Sequence, residues 1–232
     1  MLNRSETDLS LTYTGALAGA ATGGAAYEWL KSAFDRVSAG FGLDILAPVV
    51  AIIAVAIRLD SPGPVIFRQR RVGKDGKEFV LYKFRSMHAK SDDALHRAAF
   101  QRFFAAQSRE EAGVSSFKVA NDPRVTRVGR FLRSTSLDEL PQLVNVVKGE
   151  MSLVGPRPPI PYEAAMYQER HRARLTVRPG LTGLWQVSGR CEVTFEEMVK
   201  MDLEYIADRS FFLDLKILLL TFGAVLRRRG AG

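Results

Sequence analysis

Two adjacent carboxylates, Asp138 and Glu139, stand within Arg133-Ser134-Thr135-Ser136-Leu137-Asp138-Glu139-Leu140-Pro141-Gln142-Leu143. A pair of this kind with an arginine just upstream can combine a nucleophile, a hard-metal ligand and a phosphate clamp within one turn of chain. The same residues carry a plainer reading. Ser136-x-x-Glu139 is also the pattern of a capping box, and acidic side chains in a first helical turn complement the positive end of the helix dipole. By itself the segment favours capping, and what surrounds it shifts the balance toward chemistry.

Further runs accompany the pair in order: Tyr82-Lys83-Phe84-Arg85-Ser86-Met87, Asp122-Pro123-Arg124-Val125-Thr126, Glu150-Met151-Ser152-Leu153-Val154-Gly155-Pro156-Arg157-Pro158-Pro159, and Val177-Arg178-Pro179-Gly180-Leu181-Thr182-Gly183-Leu184-Trp185-Gln186-Val187-Ser188-Gly189-Arg190. With the Leu-Asp-Glu-Leu-Pro-Gln-Leu segment they resemble the bacterial sugar transferases known as monotopic phosphoglycosyl transferases, from about Lys31 to about Arg229. Each run is weak alone; five in order are specific.

The resemblance implies a reaction and roles. A UDP-sugar would bind beside Mg²⁺ with its diphosphate met by Arg133, Arg157, Lys83 and Arg85, and with Gln186 and Arg190 as further substrate contacts. Asp138 would attack the sugar-bearing phosphorus and release UMP; Glu139 would be the catalytic metal ligand. Polyprenol phosphate (undecaprenyl phosphate) would then take the sugar phosphate, as the first membrane step of exopolysaccharide or other glycan synthesis. Adjacency cannot order the pair, so this assignment of Asp138 and Glu139 is the family's. The wording around Trp185 and Gln186 resembles members that transfer a hexose such as galactose or glucose. Asp202 and Tyr205 match the family pattern more loosely and are second-rank candidates.

The expected fold is α/β or α+β: a compact, helix-rich cytosolic domain over 61–232 with a small β-hairpin, a re-entrant membrane helix over 31–60, amphipathic helices and a flexible extension over 1–30. The segment 34–57 ends in a strongly apolar run, but its first half carries Asp35, Arg36 and Asp44. Each central charge costs about 3 kcal/mol against roughly 0.3 to 0.6 gained per large apolar residue, so a full span is marginal. Pro48 removes a backbone donor near the middle, and Lys and Arg flank both ends. A helix that enters the cytoplasmic leaflet, breaks at Pro48 and returns satisfies these features, and the resemblance implies the same. The chain is read as too short for the additional N-terminal spans of other members, and its first residues do not read as a cleaved signal.

Downstream, alternation over 65–72 and 78–84 around the Asp75-Gly76 turn signal predicts the hairpin. A helix is expected from about Ser91 to Gln107 with Asp92 and Asp93 in its first turn, and another around Val128 to Arg133. Tyr162 to Arg174 reads as a charged, solvated helical face, and Phe211 to Leu226 followed by Arg227-Arg228-Arg229 as an interfacial helix against anionic lipid. The formal charge of +8 over 232 residues suits a polyanionic partner. A non-catalytic basic adaptor of membrane or nucleic acid is the alternative class, but no nucleic-acid module pattern is present and no nucleic acid is expected. The lone Cys191 excludes an internal disulfide and fits a cytoplasmic face of the bacterial inner membrane. A homodimer is compatible with the sequence.

Overall fold

The computed structural model describes residues 13–14, 25–88, 94–106, 111, 122–188 and 193–226. Asp92, Asp93, Arg190, Cys191, the Arg227-Arg228-Arg229 cluster and most of the N-terminal extension lie outside them.

A long helix, α1 (Ala25–Asp60), leads into a hairpin of β1 (Ile66–Val72) and β2 (Glu78–Phe84). Next come α2 (Ala94–Ala105), α3 (Arg127–Thr135), α4 (Gln142–Lys148), β3 (Ser152–Val154), α5 (Pro161–Ala165), α6 (Glu169–Arg172), β4 (Gly180–Thr182), α7 (Leu184–Ser188), α8 (Phe195–Asp208) and α9 (Phe211–Leu226). The hairpin is antiparallel with Ile66 opposite Phe84 and Val72 opposite Glu78. Asp75 and Gly76, at φ 56° and 75°, make its turn as the Asp-Gly signal predicts. A second, parallel pair joins β3 to β4, Ser152 opposite Gly180 and Val154 opposite Thr182. Strands this short carry no readable alternation, so the sequence did not announce them.

The parallel pair explains the glycines of two motifs. A Cβ on Gly180 would meet Gly155 N at 2.1 Å, and one on Gly155 would meet Arg178 O at 2.5 Å. Glycine is required here because backbone lies against backbone, which fastens the Gly155-Pro156-Arg157 loop to the loop before α7.

Helix α1 runs through Pro48 without interruption. The proline does not end the element; it leaves the carbonyl of Asp44 without its helical donor, the place where such a helix can bend. The whole helix, about 54 Å at 1.5 Å per residue, is long and apolar enough to cross a membrane. Part of its polar entering arm has a specific explanation, although Arg36 and Asp44 stay exposed. Asp35 is only 4% exposed and faces the protein, accepting from Ser152 Oγ at 2.6 Å with Lys31 Nζ at 3.5 Å. Lys31 also reaches Asp214 of α9 at 2.6 Å. The outward side instead shows Trp29, Val37, Phe41, Ile45, Ile52, Val55 and Leu59.

Helix α9 repeats this reversal. Asp214 and Ile217 are buried while Phe212, Leu219 and Phe222 are exposed, and the Phe211 and Phe34 rings meet edge-on at 5.2 Å between centroids. With Asp35 and Asp214 turned inward and large apolar side chains outward, the two helices present a broad apolar surface, which Arg36, Asp44 and Lys216 interrupt as exposed charges.

The main core joins α1 through Ala39 to Leu81, Phe100, Val146, Met151, Phe195, Leu203 and Ile206, and a smaller cluster packs Ile53 and Ile57 against Phe84 and Leu132. Both halves of α1 thus rest on one body. The solvated reading of 162–174 is corrected: Glu163, His171 and Arg174 are buried. Arg174 holds Asp202 at 2.7 Å and donates to Tyr167 Oη at 2.7 Å, while Glu163 accepts the Ile160 N–H at 2.8 Å. These charges are tolerated inside because each has a partner.

Candidate active site

The Asp138-Glu139 pair does not open a long helix. Ser136 ends α3 in the left-handed region, at φ 58° and ψ 15°, and makes no side-chain cap; Leu137–Glu139 then form a single 3₁₀ turn. The capping-box pattern is realised elsewhere, at Thr194-x-x-Glu197 on α8, where Thr194 Oγ1 accepts the Glu197 N–H at 3.2 Å and Glu197 Oε2 accepts the Thr194 N–H at 2.9 Å. A left-handed serine costs backbone energy, and such positions cluster at functional sites.

Asp138 is buried. Its pKa is pushed up to about 6, first by burial, with Lys83 opposing, Glu139 adding to the rise and Arg133 opposing. Strand β2 supplies Lys83, whose Nζ lies 2.6 Å from Glu139 Oε1 and 3.9 Å from Asp138 Oδ2. Arg133 is in the last turn of α3, so its charge sits at a helix C-terminus while acting on Asp138. A Cβ on Gly129 of α3 would lie 2.0 Å from Ser86 O, so α3 can seat against the chain leaving β2 only with glycine there.

Asn145 fixes the other flank. Its Oδ1 accepts the Tyr82 N–H at 3.1 Å and its Nδ2 donates to Val80 O at 2.7 Å, so the buried amide pairs with the open edge of β2 as a neighbouring strand would. A further bond from Nδ2 to Glu150 Oε2, at 2.7 Å, orients it. No motif in the sequence marks this role.

Arg157 occupies the rigid loop after β3. Beside it Arg71 is buried, donating from Nη1 to Pro158 O at 2.8 Å and from Nη2 to Gln69 Oε1 at 2.7 Å, with Glu163 Oε2 at 4.0 Å. Burial lowers the Arg71 pKa to about 10, with Arg157 adding to the fall and Glu163, Tyr162 and Glu139 acting against it. A small cavity of about 20 Å³ opens beside Arg157, lined also by Phe100, Glu163, Tyr167 and Arg174. That volume suits one water.

Lys83, Asp138 and Glu139 are thus brought together, with the Arg133 charge acting on Asp138, while Arg157 stands in the loop after β3 that Arg71 holds through Pro158 O. Gln186 sits in α7 one turn after Gly183, which packs on Gly155, so it belongs to the loop pair that carries Arg157. Arg85 is elsewhere: its buried guanidinium donates to Ser61 O at 2.6 Å, Ser61 Oγ at 2.9 Å and Pro62 O at 3.0 Å, closing the C-terminal end of α1. In this structure the Arg85 fork, expected to meet the diphosphate, is engaged by protein oxygens at the end of α1, the Ile57 carbonyl included at 3.4 Å. Asp202 is taken by Arg174, and Tyr205 donates to Asp214 at 2.7 Å, so both act in packing.

Among the described residues no group of three or more acidic, histidine or cysteine side chains is arranged for a metal. Glu139 Oε1 is engaged by the Lys83 ammonium at 2.6 Å.

A profile described as bacterial sugar transferase matches residues 26–228. The chain is 44% identical over 207 residues to the galactosyl transferase CpsE of Streptococcus agalactiae serotype III, covering 87% of this chain and 43% of that protein. It is 46% identical over 200 residues to the UDP-glucose:undecaprenyl-phosphate glucose-1-phosphate transferase of Escherichia coli K12, covering 83% and 39%. With the exopolysaccharide production protein ExoY of Rhizobium meliloti it shares 41% identity over 202 residues, covering 87% of each chain. The chain thus spans about two-fifths of several relatives and most of ExoY. The family profile spans the dyad, the Arg157 loop and all but the first residue of α1, and the chain belongs to the bacterial sugar transferase family.

Proposed function

We propose that this protein transfers a sugar 1-phosphate, with galactose or glucose favoured, from a UDP-sugar to polyprenol phosphate at the cytoplasmic face of the bacterial inner membrane. The observation that carries the reading is the buried Asp138 carboxylate, held beside Lys83, Glu139 and Arg133 in a turn set by left-handed Ser136. The galactose- and glucose-phosphate transferases among the relatives support the donor and acceptor classes.

Asp138 Oδ attacks the sugar-bearing phosphorus, the P–O bond to the UMP phosphate breaks, and UMP leaves with the bridging oxygen. A phosphosugar remains esterified to the carboxylate. An oxygen of polyprenol phosphate then attacks the same phosphorus and expels Asp138, giving the diphosphate-linked lipid. Lys83 and Arg133 keep Asp138 anionic against its burial, and Arg157 clamps the diphosphate through its planar fork. Mg²⁺ held by Glu139 and substrate oxygens would neutralise charge on the transferring group.

The anchor is re-entrant in this proposal, with α1 bending near Pro48 so that both ends lie on the cytoplasmic side. The Asp35 and Lys31 contacts hold the entering arm to the same body that receives Ile57.

Single-turnover chemistry tests the mechanism. Incubated with UDP-glucose or UDP-galactose and Mg²⁺ but no polyprenol phosphate, the protein should release at most about one UMP per site and gain one hexose phosphate in mass on Asp138. An adduct on any other residue would end the proposal.

A further inference from the structure

Arg71 has a role that the charge pattern of β1 conceals. Arg68 and Arg70 are exposed, whereas Arg71 is 5% exposed. Its Nη1 reaches Pro158 O at 2.8 Å, and the next residue, Val72, donates its N–H to Pro159 O at 2.9 Å. Two consecutive residues at the end of β1 therefore grip the two prolines that follow Arg157. Gln69 Oε1 accepts from both Arg71 Nε and Nη2, at 3.1 and 2.7 Å, which fixes the rotation of the fork. Glu163 stands 4.0 Å from Nη1 and also receives the Ile160 N–H, so the counter-charge belongs to the far end of the same loop.

We propose that Arg71 is a positioning residue for Arg157: it pins the Pro158 carbonyl, with Gln69 orienting its guanidinium and Glu163 balancing its charge, so that the Arg157 fork is presented to the diphosphate already oriented. The proposal rests on the phosphate-clamp reading of Arg157. Two features make the arrangement effective. The prolines restrict the loop and the bonds to Pro158 O and Pro159 O hold it, so little entropy is left to lose on binding. A second buried guanidinium beside Arg157 also disfavours any collapse of Arg157 inward, since like charges in low dielectric repel.

Arg71→Lys keeps the charge and loses the fork. Gln69→Leu leaves Arg71 in place and frees its rotation, on a half-buried side chain whose loss spares the core. Both variants should raise KM for the UDP-sugar, Arg71→Lys about tenfold or more and Gln69→Leu a few-fold, with folding temperature nearly unchanged for Gln69→Leu. In an Arg157→Lys background each effect should shrink to about twofold or less, because a positioner has no effect once its target fork is gone. Amide hydrogen exchange at Val72 and Ile160, which needs no substrate, should quicken in both variants. Full additivity with Arg157→Lys, or unchanged exchange at these amides, overturns the positioning role. Failure of the wild type to release UMP would instead refute the reaction, and the exchange data would still judge the contact.

Discussion

Lys83 Nζ lies 2.6 Å from Glu139 Oε1, so an ammonium on β2 holds the carboxylate assigned to the metal while standing 3.9 Å from the assigned nucleophile. Lys83 is the strongest influence holding Asp138 down against its burial. Replacing it with Met should raise the Asp138 pKa further and move the acid limb of the kcat/KM profile to higher pH. A profile that keeps its position would remove Lys83 from this role.

In the wild type, kcat/KM should climb as pH rises through about 6, where Asp138 loses its proton. Assays from pH 5 to 8 with a fixed Mg²⁺ concentration would display the limb. Its absence would mean that another group is the nucleophile.

Stability should move oppositely. Burial makes the folded state bind the Asp138 proton more tightly than the unfolded chain does, so this group's contribution is fully present below about pH 4 and is lost as pH rises through about 6. Asp138→Asn should therefore abolish turnover yet leave the protein at least as stable at pH 7.5, by an amount between zero and about 3 kcal/mol. Thermal unfolding in detergent reads the outcome, and a marked loss of stability would restore a purely structural role.

Arg85 should behave as a structural residue. Arg85→Ala strands the Ser61 and Pro62 carbonyls at the end of α1 and should cost about 2 to 4 kcal/mol. Protein that remains folded should keep its KM for UDP-sugar, measured beside Arg157→Lys, whose KM should rise.

The anchor topology can be read by labelling. With Cys191 replaced by Ser, single cysteines at Ser32 and Pro62 should both react with a membrane-impermeant reagent from the cytoplasmic side, and opposite-side reaction would establish a full span instead. Pro48→Leu restores the donor for the Asp44 carbonyl and lengthens the apolar run, so it should shift labelling toward opposite sides.

Much of this was legible in one dimension. The Asp75-Gly76 turn, the hairpin and the apolar helices follow from local preferences and periodicity, which neighbouring residues determine among themselves. The ordered motifs, with Asp138, Glu139, Lys83, Arg133 and Arg157 among them, carried a resemblance to the bacterial sugar transferases, and the family profile bears out that membership. Tertiary contact decided the remainder. Ser136-x-x-Glu139 and Thr194-x-x-Glu197 share one pattern, yet only the second caps a helix, because the first begins where α3 has already ended in a left-handed turn. Arg68, Arg70, Arg71 and Arg85 are alike as letters, but the surroundings of each differ: two are exposed, one grips Pro158, and one closes α1. Asp35 looked like a charge facing lipid until the fold turned it toward Ser152 and Lys31. Whether a charged side chain is solvated, paired or poised to react depends on partners far along the chain, and only folding brings those within hydrogen-bonding distance.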